Sequence, residues 1–396
     1  MLDVYNRSEQ MNIVNILLLS LVFYSAAAQI QLYNDEFEDP SSSVNWKNIN
    51  EEEGWNIIQL ESYNFSDSVS GSLFMLPLTE TWFEEYRGAY LYKEIAGDFV
   101  LTTIVNMSAR DGTSLPSSSF SLAGLMIRTP LVYSNQDPSI DWNPEEQNYI
   151  FMALGRANQN RLSFEIKNTC NSRSCITVND ADANSVLMRL IRRGNEIVVM
   201  TRVDGQPWNI QGRYNRTAIQ QGDFGSCNQL CGAPFPDTVQ IGVVAYTDWE
   251  KVSSYTPAFH NTHTLHPDSL DNDPTANVPF TPDIRASYDY MRFDSLIVPD
   301  TWLNLDMSYP EDISNQELLS HFSYGTDTYC PGHIQVHELP LSDLHVSVKA
   351  EEDIRCDVSI ERSVDLLLHA GSSIEFSSGF QIPEGATMIT SSDCCN

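Results

Sequence analysis

Short apolar runs rich in β-branched and aromatic residues, each closed by turn-forming residues, recur along most of the chain. Such runs predict β-strands, and the clearest lie at residues 99–105, 122–127, 149–154, 162–166, 186–191, 197–203, 239–245 and 288–298. Turn residues at Arg193-Gly194-Asn195 and Asp204-Gly205 bracket one expected antiparallel hairpin. Only residues 311–322, after Pro310, predict a helix. The pattern therefore predicts an all-β antiparallel sandwich or barrel and does not favour a parallel α/β sheet.

The spacing of the predicted strands changes in the last quarter of the chain. Beyond Cys330, short β segments separated by glycines predict stacked, solenoid-like rungs. The composition changes at residues 299–310, which indicates a domain boundary. The expected organisation is an export segment at 1–28, a sandwich at 29–300, a linker with a short helix at 301–345 and a β stack at 346–396.

The N-terminal segment has the features of a secretory signal. Residues 13–24 are almost entirely apolar, and Ala26, Ala27 and Ala28 follow before the polar Gln29. A run of about 12 residues is too short for a membrane-spanning helix, which needs about 20. We expect cleavage after Ala28 and a secreted or cell-surface protein. The residues before the apolar run are not basic, which suggests that translation can start at Met11.

The chain is strongly acidic. It has 22 Lys and Arg against 53 Asp and Glu, a formal net charge of −31. That charge repels phosphate backbones and anionic lipid headgroups. We therefore expect no nucleic-acid partner and no membrane insertion, and the charge leaves the oligomeric state open.

Eight cysteines fit an oxidising compartment. They fall into close couples, at 170 and 175, 227 and 231, 330 and 356, and 394 and 395. Disulfides within each couple are the expected arrangement, although eight cysteines allow 105 connectivities. Zinc is the alternative, but the tight CxxC spacing of a zinc ribbon is absent.

Motifs of aromatic, glycine and acidic residues follow one another in a definite order between residues 35 and 294. They are Asp35-Glu36-Phe37, Trp46, Glu53-Gly54-Trp55, Gly97-Asp98-Phe99-Val100, Ala123-Gly124-Leu125-Met126-Ile127-Arg128, Leu190-Ile191-Arg192-Arg193-Gly194, Gly205-Gln206-Pro207-Trp208, Val239-Gln240-Ile241-Gly242-Val243 and Tyr288-Asp289-Tyr290-Met291-Arg292-Phe293-Asp294. In order and spacing this set resembles the concanavalin A-like jelly-roll modules of secreted bacterial proteins, of the LamG-like and DUF1349-like group. The resemblance implies an antiparallel jelly-roll sandwich.

The C-terminal segment carries a second resemblance. Residues 366–374, Ser378-Gly379-Phe380 and Gly385-Ala386 precede a terminal cysteine. This arrangement is similar to the 3-coathanger stack domain of secreted Bacteroidetes proteins. The resemblance implies an extracellular or cell-surface bacterial protein and no chemistry.

No complete catalytic signature occurs in the sequence. Jelly-roll glycosidases of the laminarinase type carry ExDxE or ExDxxE on one strand, since alternate residues face the same cleft. The acidic runs 51–53 and 84–85 lack that pattern and are interpreted as solvated loop charge. No GxSxG elbow occurs either. A hydrolase or lyase whose acids lie on separate strands remains an alternative.

Two metal sites are conceivable. His260, His263 and His266 form HxxHxxH within the long loop 247–286, a spacing that can hold a transition metal if the loop makes a turn of helix. The resembled fold often binds structural calcium near its terminal strands, where Asp35 and Asp294 supply hard oxygen ligands. Ordinary surface histidines and acids bonded to loop backbone are the competing interpretations.

Aromatic residues in loops are the predicted ligand contacts, because sugar rings stack on exposed aromatic planes. Trp142, Trp208 and Trp249 lie in or near loops, and Arg128 and Tyr149 are expected to line one face of neighbouring strands. The leading hypothesis is a non-catalytic module that binds carbohydrate or another surface polymer. A structural adhesin is a further alternative.

Overall fold

The computed structural model describes residues 30–53, 57–131, 146–157, 161–217, 232–266 and 280–323, and the backbone of short strands between 333 and 391. The chain divides into two compact units. The first contains residues up to Gly205 together with Tyr214–Leu296, and the second contains Gln206–Arg213 and Ile297–Asn396. The fold is nearly all β, as the sequence predicts.

Two antiparallel sheets form the sandwich. One has seven strands, in the order β1 (Lys47–Asn48), β4 (Leu91–Ala96), β13 (Thr238–Tyr246), β6 (Ser121–Arg128), β7 (Tyr149–Arg156), β8 (Ser163–Cys170) and β9 (Arg173–Asp180). The other has eight strands, in the order β12 (Asn209–Asn215), β11 (Glu196–Arg202), β10 (Ser185–Arg193), β5 (Phe99–Ser108), β14 (Arg285–Tyr288), β3 (Leu73–Pro77) and β2 (Leu60–Phe65), with β15 (Arg292–Ser295) paired to β5.

The main core lies between these sheets. Strand alternation sends every second side chain inward, so Leu125 of β6 and Met152 of β7 join the main core. The intervening residues, such as Met126 and Phe151, belong to a second apolar cluster on the outer face of the seven-stranded sheet. Both faces of this sheet are therefore buried around β6 and β7.

A connecting segment, residues 78–90, packs over that outer face and is called the covering segment below. Its Trp82 is fully buried in the outer cluster, and its Glu80 forms an isolated antiparallel bridge with Thr247. The Arg87 N–H donates to Asn261 Oδ1 at 2.9 Å. These bonds attach the covering segment to the region around two short helices, α2 (Trp249–Val252) and α3 (Pro257–His260). The first helix of the chain, α1, is Ile49–Glu52.

Most predicted strands are confirmed, with ends that shift by a few residues. The predicted strand 288–298 is instead two strands, β14 and β15. Between them the Met291 N–H donates to Asp35 O at 2.7 Å, and Asp289 Oδ1 accepts from Asn106 Nδ2 at 2.8 Å. The regular β5 pairing is interrupted at Met291, whose backbone pairs with Asp35 of the N-terminal segment.

The second unit contains α4 (Asn315–Phe322), within the predicted helical stretch. This helix begins later than predicted because Ser314 and Glu317 form a capping box at its N-terminus. Preceding it is a short 3-10 helix, Asp300–Trp302. Nearby, Arg213 Nε donates to Met307 O at 2.7 Å.

The C-terminal strands are parallel and repeat at nearly constant intervals. One three-stranded sheet contains β16 (His333–Gln335), β18 (Asp353–Cys356) and β20 (Ser373–Phe376), and another contains β17 (His345–Ala350), β19 (Asp365–Ala370) and β21 (Thr387–Ser391). In the first sheet His333 pairs with Asp353 and Asp353 with Ser373. Two parallel ladders with this register are the backbone pattern of a β-solenoid stack.

Candidate functional site

A cavity of about 290 Å³ opens beside β1, α1 and β2, and we call it the amide pocket. Its described lining is Asn48, Asn50, Glu51, Ile57, Ile58, Gln59, Leu60 and Tyr63. Three of these eight side chains are primary amides. Ligand pockets are mostly apolar with a small number of polar groups that orient the ligand, and this lining contains both kinds of residue.

Local hydrogen bonds fix the two edges of the amide pocket. Asn48 ends β1 and caps α1, since its Oδ1 accepts from the Asn50 N–H at 3.0 Å. On the other edge the Ile58 N–H donates to Thr264 Oγ1 at 3.1 Å. One side of the pocket is therefore held by the capped N-terminus of α1, and the other by the hydrogen bond that fixes Ile58 just before β2.

Two amide oxygens in the lining are unsatisfied. Asn50 and Gln59 are 5% and 3% exposed. The Gln59 Nε2 donates to the Arg87 carbonyl at 2.7 Å, which fixes the orientation of the amide because a carbonyl only accepts. Gln59 Oε1 and Asn50 Oδ1 have no hydrogen-bond partner among the described residues. Both oxygens are closed to solvent, so a ligand donor reaches them only when the amide side chains turn toward the cavity. A buried acceptor without a partner costs about 1–3 kcal/mol, which favours such a new bond.

Exposed apolar side chains stand beside these amides. Tyr63 of β2 is 39% exposed and Ile58 is 64% exposed. Burying an aromatic or aliphatic side chain of this kind stabilises a complex by up to about 1.5–3 kcal/mol. The amide pocket thus combines directional acceptors with an apolar surface that a ligand can cover.

A buried ion cluster lies directly along the chain from the pocket. Glu53, which follows α1, accepts hydrogen bonds from the guanidinium groups of Arg87 and Arg128. Arg128 also donates to Gln240 Oε1 at 2.7 Å and to Gln147 Oε1 at 3.2 Å. The sequence interpretation of Glu53 as solvated loop charge is wrong, because two arginines neutralise it inside the protein.

Arg128 and Tyr149 lie directly opposite each other in the β6–β7 register. They share the outer face, as expected from the sequence, yet both are fully buried. The Trp82 ring of the covering segment packs on Tyr149 with centroids 5.4 Å apart and lies 5.7 Å from the Arg128 guanidinium. Their predicted role as ligand contacts would require the covering segment to move, and it stays a prediction.

A second ion pair lies under the covering segment. Lys167 Nζ is 2.8 Å from Glu165 Oε1 and donates to Trp82 O at 2.5 Å. Burial lowers the pKa of Lys167, while the Glu165 carboxylate opposes that shift. The Lys167 ammonium also lies 4.5 Å from the Phe151 ring centroid. The pair is enclosed, so it fixes the covering segment and presents no charge to solvent.

The predicted tryptophans occupy different settings. Trp142 lies outside the described residues, and Trp208 is buried. Trp249 is half-buried, and its ring contacts Phe83 and Tyr86 at centroid distances of 5.3 and 5.6 Å. Ligand binding by these three residues stays a prediction.

The histidines of the HxxHxxH motif do not share one environment. His260 is buried, its Nδ1 lies 2.7 Å from Asn261 Oδ1, and its Nε2 accepts from the Thr81 N–H at 3.3 Å. His263 stacks on Phe259 with centroids 3.9 Å apart. His266 is partly buried. Over the described part of the chain no group of three or more His, Cys, Asp or Glu is arranged to hold a metal ion. Metal binding at this motif stays a prediction.

The proposed calcium ligands are placed at the N-terminal and final strands of the sandwich. Asp35 is buried, and its carboxylate accepts from the Phe37 N–H at 3.0 Å and from Trp46 Nε1 at 2.8 Å. Lys93 Nζ is 3.6 Å away. Asp294 lies on β15. Asp35 thus anchors the start of the sandwich, and calcium binding stays a prediction.

Cys170, the last residue of β8, and Cys175, the third residue of β9, lie close to the β8–β9 turn, and both are disulfide-bonded. The side chains of the other six cysteines lie outside the described residues, so their pairing stays a prediction. Within the described ranges no helix is long and apolar enough to cross a bilayer.

The amide pocket was not predicted from the sequence. Its residues surround the predicted N-terminal motif, but an Asn-rich stretch such as 48–50 also fits an ordinary loop. The one usable feature is Tyr63, an aromatic residue that alternates with polar neighbours on β2. Strand alternation places such a residue on the solvent face.

No family model matches this chain, and no curated protein matches it. Solved structures with a similar fold include the GH43 protein BlXynB from Bacillus licheniformis, with 13% identity, a TM-score of 0.39, and coverage of 66% of this chain and 39% of that one. The match therefore spans about two fifths of the length of BlXynB.

Two further structures have comparable similarity. A functionally unknown protein from Saccharomyces cerevisiae has 12% identity and a TM-score of 0.38, with 65% of this chain and 99% of that one covered. A lectin from Bauhinia forficata in complex with GalNAc has 9% identity and a TM-score of 0.35, with 66% and 97% covered. At such scores these likenesses say nothing about what this chain binds. The sheets themselves define the class, an antiparallel β-sandwich with a polar pocket at its side.

Proposed function

We propose that this chain is a secreted or cell-surface, non-catalytic carbohydrate-binding protein whose ligand occupies the amide pocket. The observation that carries the proposal is the pair of nearly buried, unsatisfied amide oxygens of Asn50 and Gln59 beside the exposed Tyr63 ring. Sugar rings present hydroxyl donors at their edges and C–H groups on their faces. Amides and an aromatic ring are complementary to these two surfaces.

The size of the cavity supports a small ligand unit. Ligand pockets commonly measure about 300–1,000 Å³, and the amide pocket, at about 290 Å³, falls at the lower limit. One sugar ring, as the end or a side branch of a polymer, is the occupant that fits best.

The carboxylates near the pocket support binding without hydrolysis. Glycosidases use two carboxyl groups on either side of the scissile bond. Glu51 is the one carboxylate in the described lining, and the neighbouring Glu53 is neutralised by Arg87 and Arg128. A hydrolase or lyase with acids on separate strands is the alternative that the experiment below separates.

The test is a polysaccharide array of the mature protein, with and without EDTA, scored for retention and for released reducing sugar. We expect retention without release. Tyr63→Ala should weaken retention about tenfold, since an aromatic stacking contact is worth about 1–1.5 kcal/mol. Tyr309→Ala, at a half-buried tyrosine outside the lining, is the matched control and should bind like the wild type.

The outcomes separate the candidate functions. No retained glycan would overturn carbohydrate binding and favour a structural adhesin, whereas released reducing sugar would establish a hydrolase. Loss of retention in EDTA would support the calcium site at Asp35 and Asp294. Export through the N-terminal signal and membership of the concanavalin A-like and 3-coathanger groups are parts of the same proposal.

A further inference from the structure

We infer that the amide pocket selects uncharged sugar units over uronates and other anionic sugars, with Glu51 as the residue that sets this specificity. The inference rests on the proposed carbohydrate binding and names the class of ligand. It follows from the charges and hydrogen-bonding groups that line the cavity.

The described lining of the amide pocket carries only negative charge. Among the eight described lining residues Glu51 alone carries a formal charge, and its side chain is exposed. No Lys, Arg or His stands among these eight. A sugar carboxylate brought into the cavity would therefore face a like charge without a described cation to pair with.

The nearest arginine does not offset this charge. Arg87 meets the pocket residue Gln59 through its main-chain carbonyl. Its guanidinium group is paired with Glu53, and both groups are buried. A ligand carboxylate would have to compete with Glu53 to reach this guanidinium.

The unsatisfied groups also favour neutral sugars. Gln59 Oε1 and Asn50 Oδ1 can only accept hydrogen bonds, so each needs a donor. Hydroxyl and N-acetyl N–H groups are donors, whereas an ionised carboxylate is an acceptor only. A uronate carries its carboxylate in place of the C6 hydroxyl of a hexose, so it has one donor fewer to offer these two acceptors.

The experiment measures binding of matched oligosaccharides by calorimetry. The probes are neutral xylo-, manno- and cello-oligosaccharides and an oligogalacturonate of the same length, all in EDTA so that no divalent cation bridges two carboxylates. The wild type should bind at least one neutral probe and bind the uronate at least about fivefold more weakly, as expected for one like charge about 4 Å away in water.

Charge reversal at adjacent positions provides the decisive comparison. Glu51 and Glu52 are both exposed in α1, but Glu52 is outside the described lining. Glu51→Lys should remove most of the discrimination against the uronate, whereas Glu52→Lys, with the same change in net charge, should retain it. Raising the salt to 1 M should narrow the wild-type difference, because the screening length falls to about 3 Å.

The two hypotheses fail in different ways. A wild type that binds neutral and uronate probes equally, or two lysine variants that behave alike, would overturn the charge selection and leave carbohydrate binding intact. If no neutral oligosaccharide binds either in EDTA or in added Ca²⁺, carbohydrate binding itself falls, and this inference falls with it. Unchanged melting temperatures for both lysine variants would show that the comparison concerns binding and not folding.

Discussion

Glu53 and Arg128 form a buried, two-point ion pair in which both Glu53 oxygens accept from the Arg128 guanidinium. Arg87 donates to the same carboxylate from the covering segment. One acid therefore joins three parts of the fold: the end of α1, strand β6 and the covering segment. Because Glu53 directly follows α1, the Glu53–Arg128 pair also fixes the position of the pocket residues Asn50 and Glu51.

Replacing Glu53 should destabilise the protein severely. Glu53→Gln removes the charge of the carboxylate that both buried guanidinium groups contact, so we expect a loss of about 3–5 kcal/mol in the free energy of unfolding. Urea denaturation measures it. Glu52→Gln, one residue earlier and exposed, should stay within about 0.5 kcal/mol of the wild type. Equal effects at the two positions would contradict the buried pair.

The Lys167–Glu165 pair should show strong non-additivity. Lys167→Met leaves Glu165 buried and charged, and we expect a loss of about 3–5 kcal/mol. The double variant Glu165→Gln/Lys167→Met removes both charges and should be more stable than Lys167→Met alone. A double variant whose loss equals the sum of the two single losses would mean that the charges do not interact.

His260 should make stability fall in mild acid. Burial lowers its pKa to about 4 from an ordinary value near 6.5. The unfolded chain therefore binds a proton between pH 6.5 and 4 that the folded chain refuses, and stability falls as the pH falls through that window, by about 3 kcal/mol.

A variant isolates this contribution. A charged ring would place an N–H of His260 against the Thr81 N–H, so the bond between them, one of several that attach the covering segment, would be lost. His260→Gln should flatten the dependence of the urea midpoint on pH between 7 and 4.5. An equally steep dependence in the His260 variant would assign the effect to another group.

Glu80 should act in the opposite direction. It is fully buried, and burial raises its pKa well above the ordinary value. The hydrogen bond that its carboxylate accepts from the Ala89 N–H opposes this shift. The folded chain keeps a proton that the unfolded chain loses, so this contribution is complete below the ordinary pKa and is lost as the pH rises. Glu80→Gln should gain stability over the wild type as the pH rises from 5 to 9, in parallel urea titrations. A constant difference would show that Glu80 does not titrate on unfolding.

The sequence predicts the sandwich better than it predicts what covers it. Alternation is a local property, so β6 and β7 and their shared face are predictable, and Arg128 does lie opposite Tyr149. The burial of both by Trp82 depends on a segment without strand periodicity and on bonds to residues near 247 and 261. Contacts between such distant positions leave no repeat in the sequence.

The amide pocket illustrates the same limit. Asn50 lies in the one-turn helix α1 and Gln59 in the irregular stretch before β2, and polar residues in such settings are usually exposed. Asn50 is buried because Glu53, at the end of α1, pairs with two buried arginines. Gln59 is buried because its amide donates to the Arg87 carbonyl. Their unsatisfied oxygens follow from tertiary packing, which composition does not encode.

The parallel C-terminal ladders are made of repeated rungs, so the length of this region depends on the number of rungs. His333, Asp353 and Ser373 follow one another at a constant offset along the chain. Duplicating or deleting one such interval would add or remove a rung and move the chain end by about one strand spacing, about 4.8 Å, while the remaining rungs keep their path. A chain with one rung more or fewer would differ in length at its C-terminal end by one strand spacing, with no change in the strands of the sandwich.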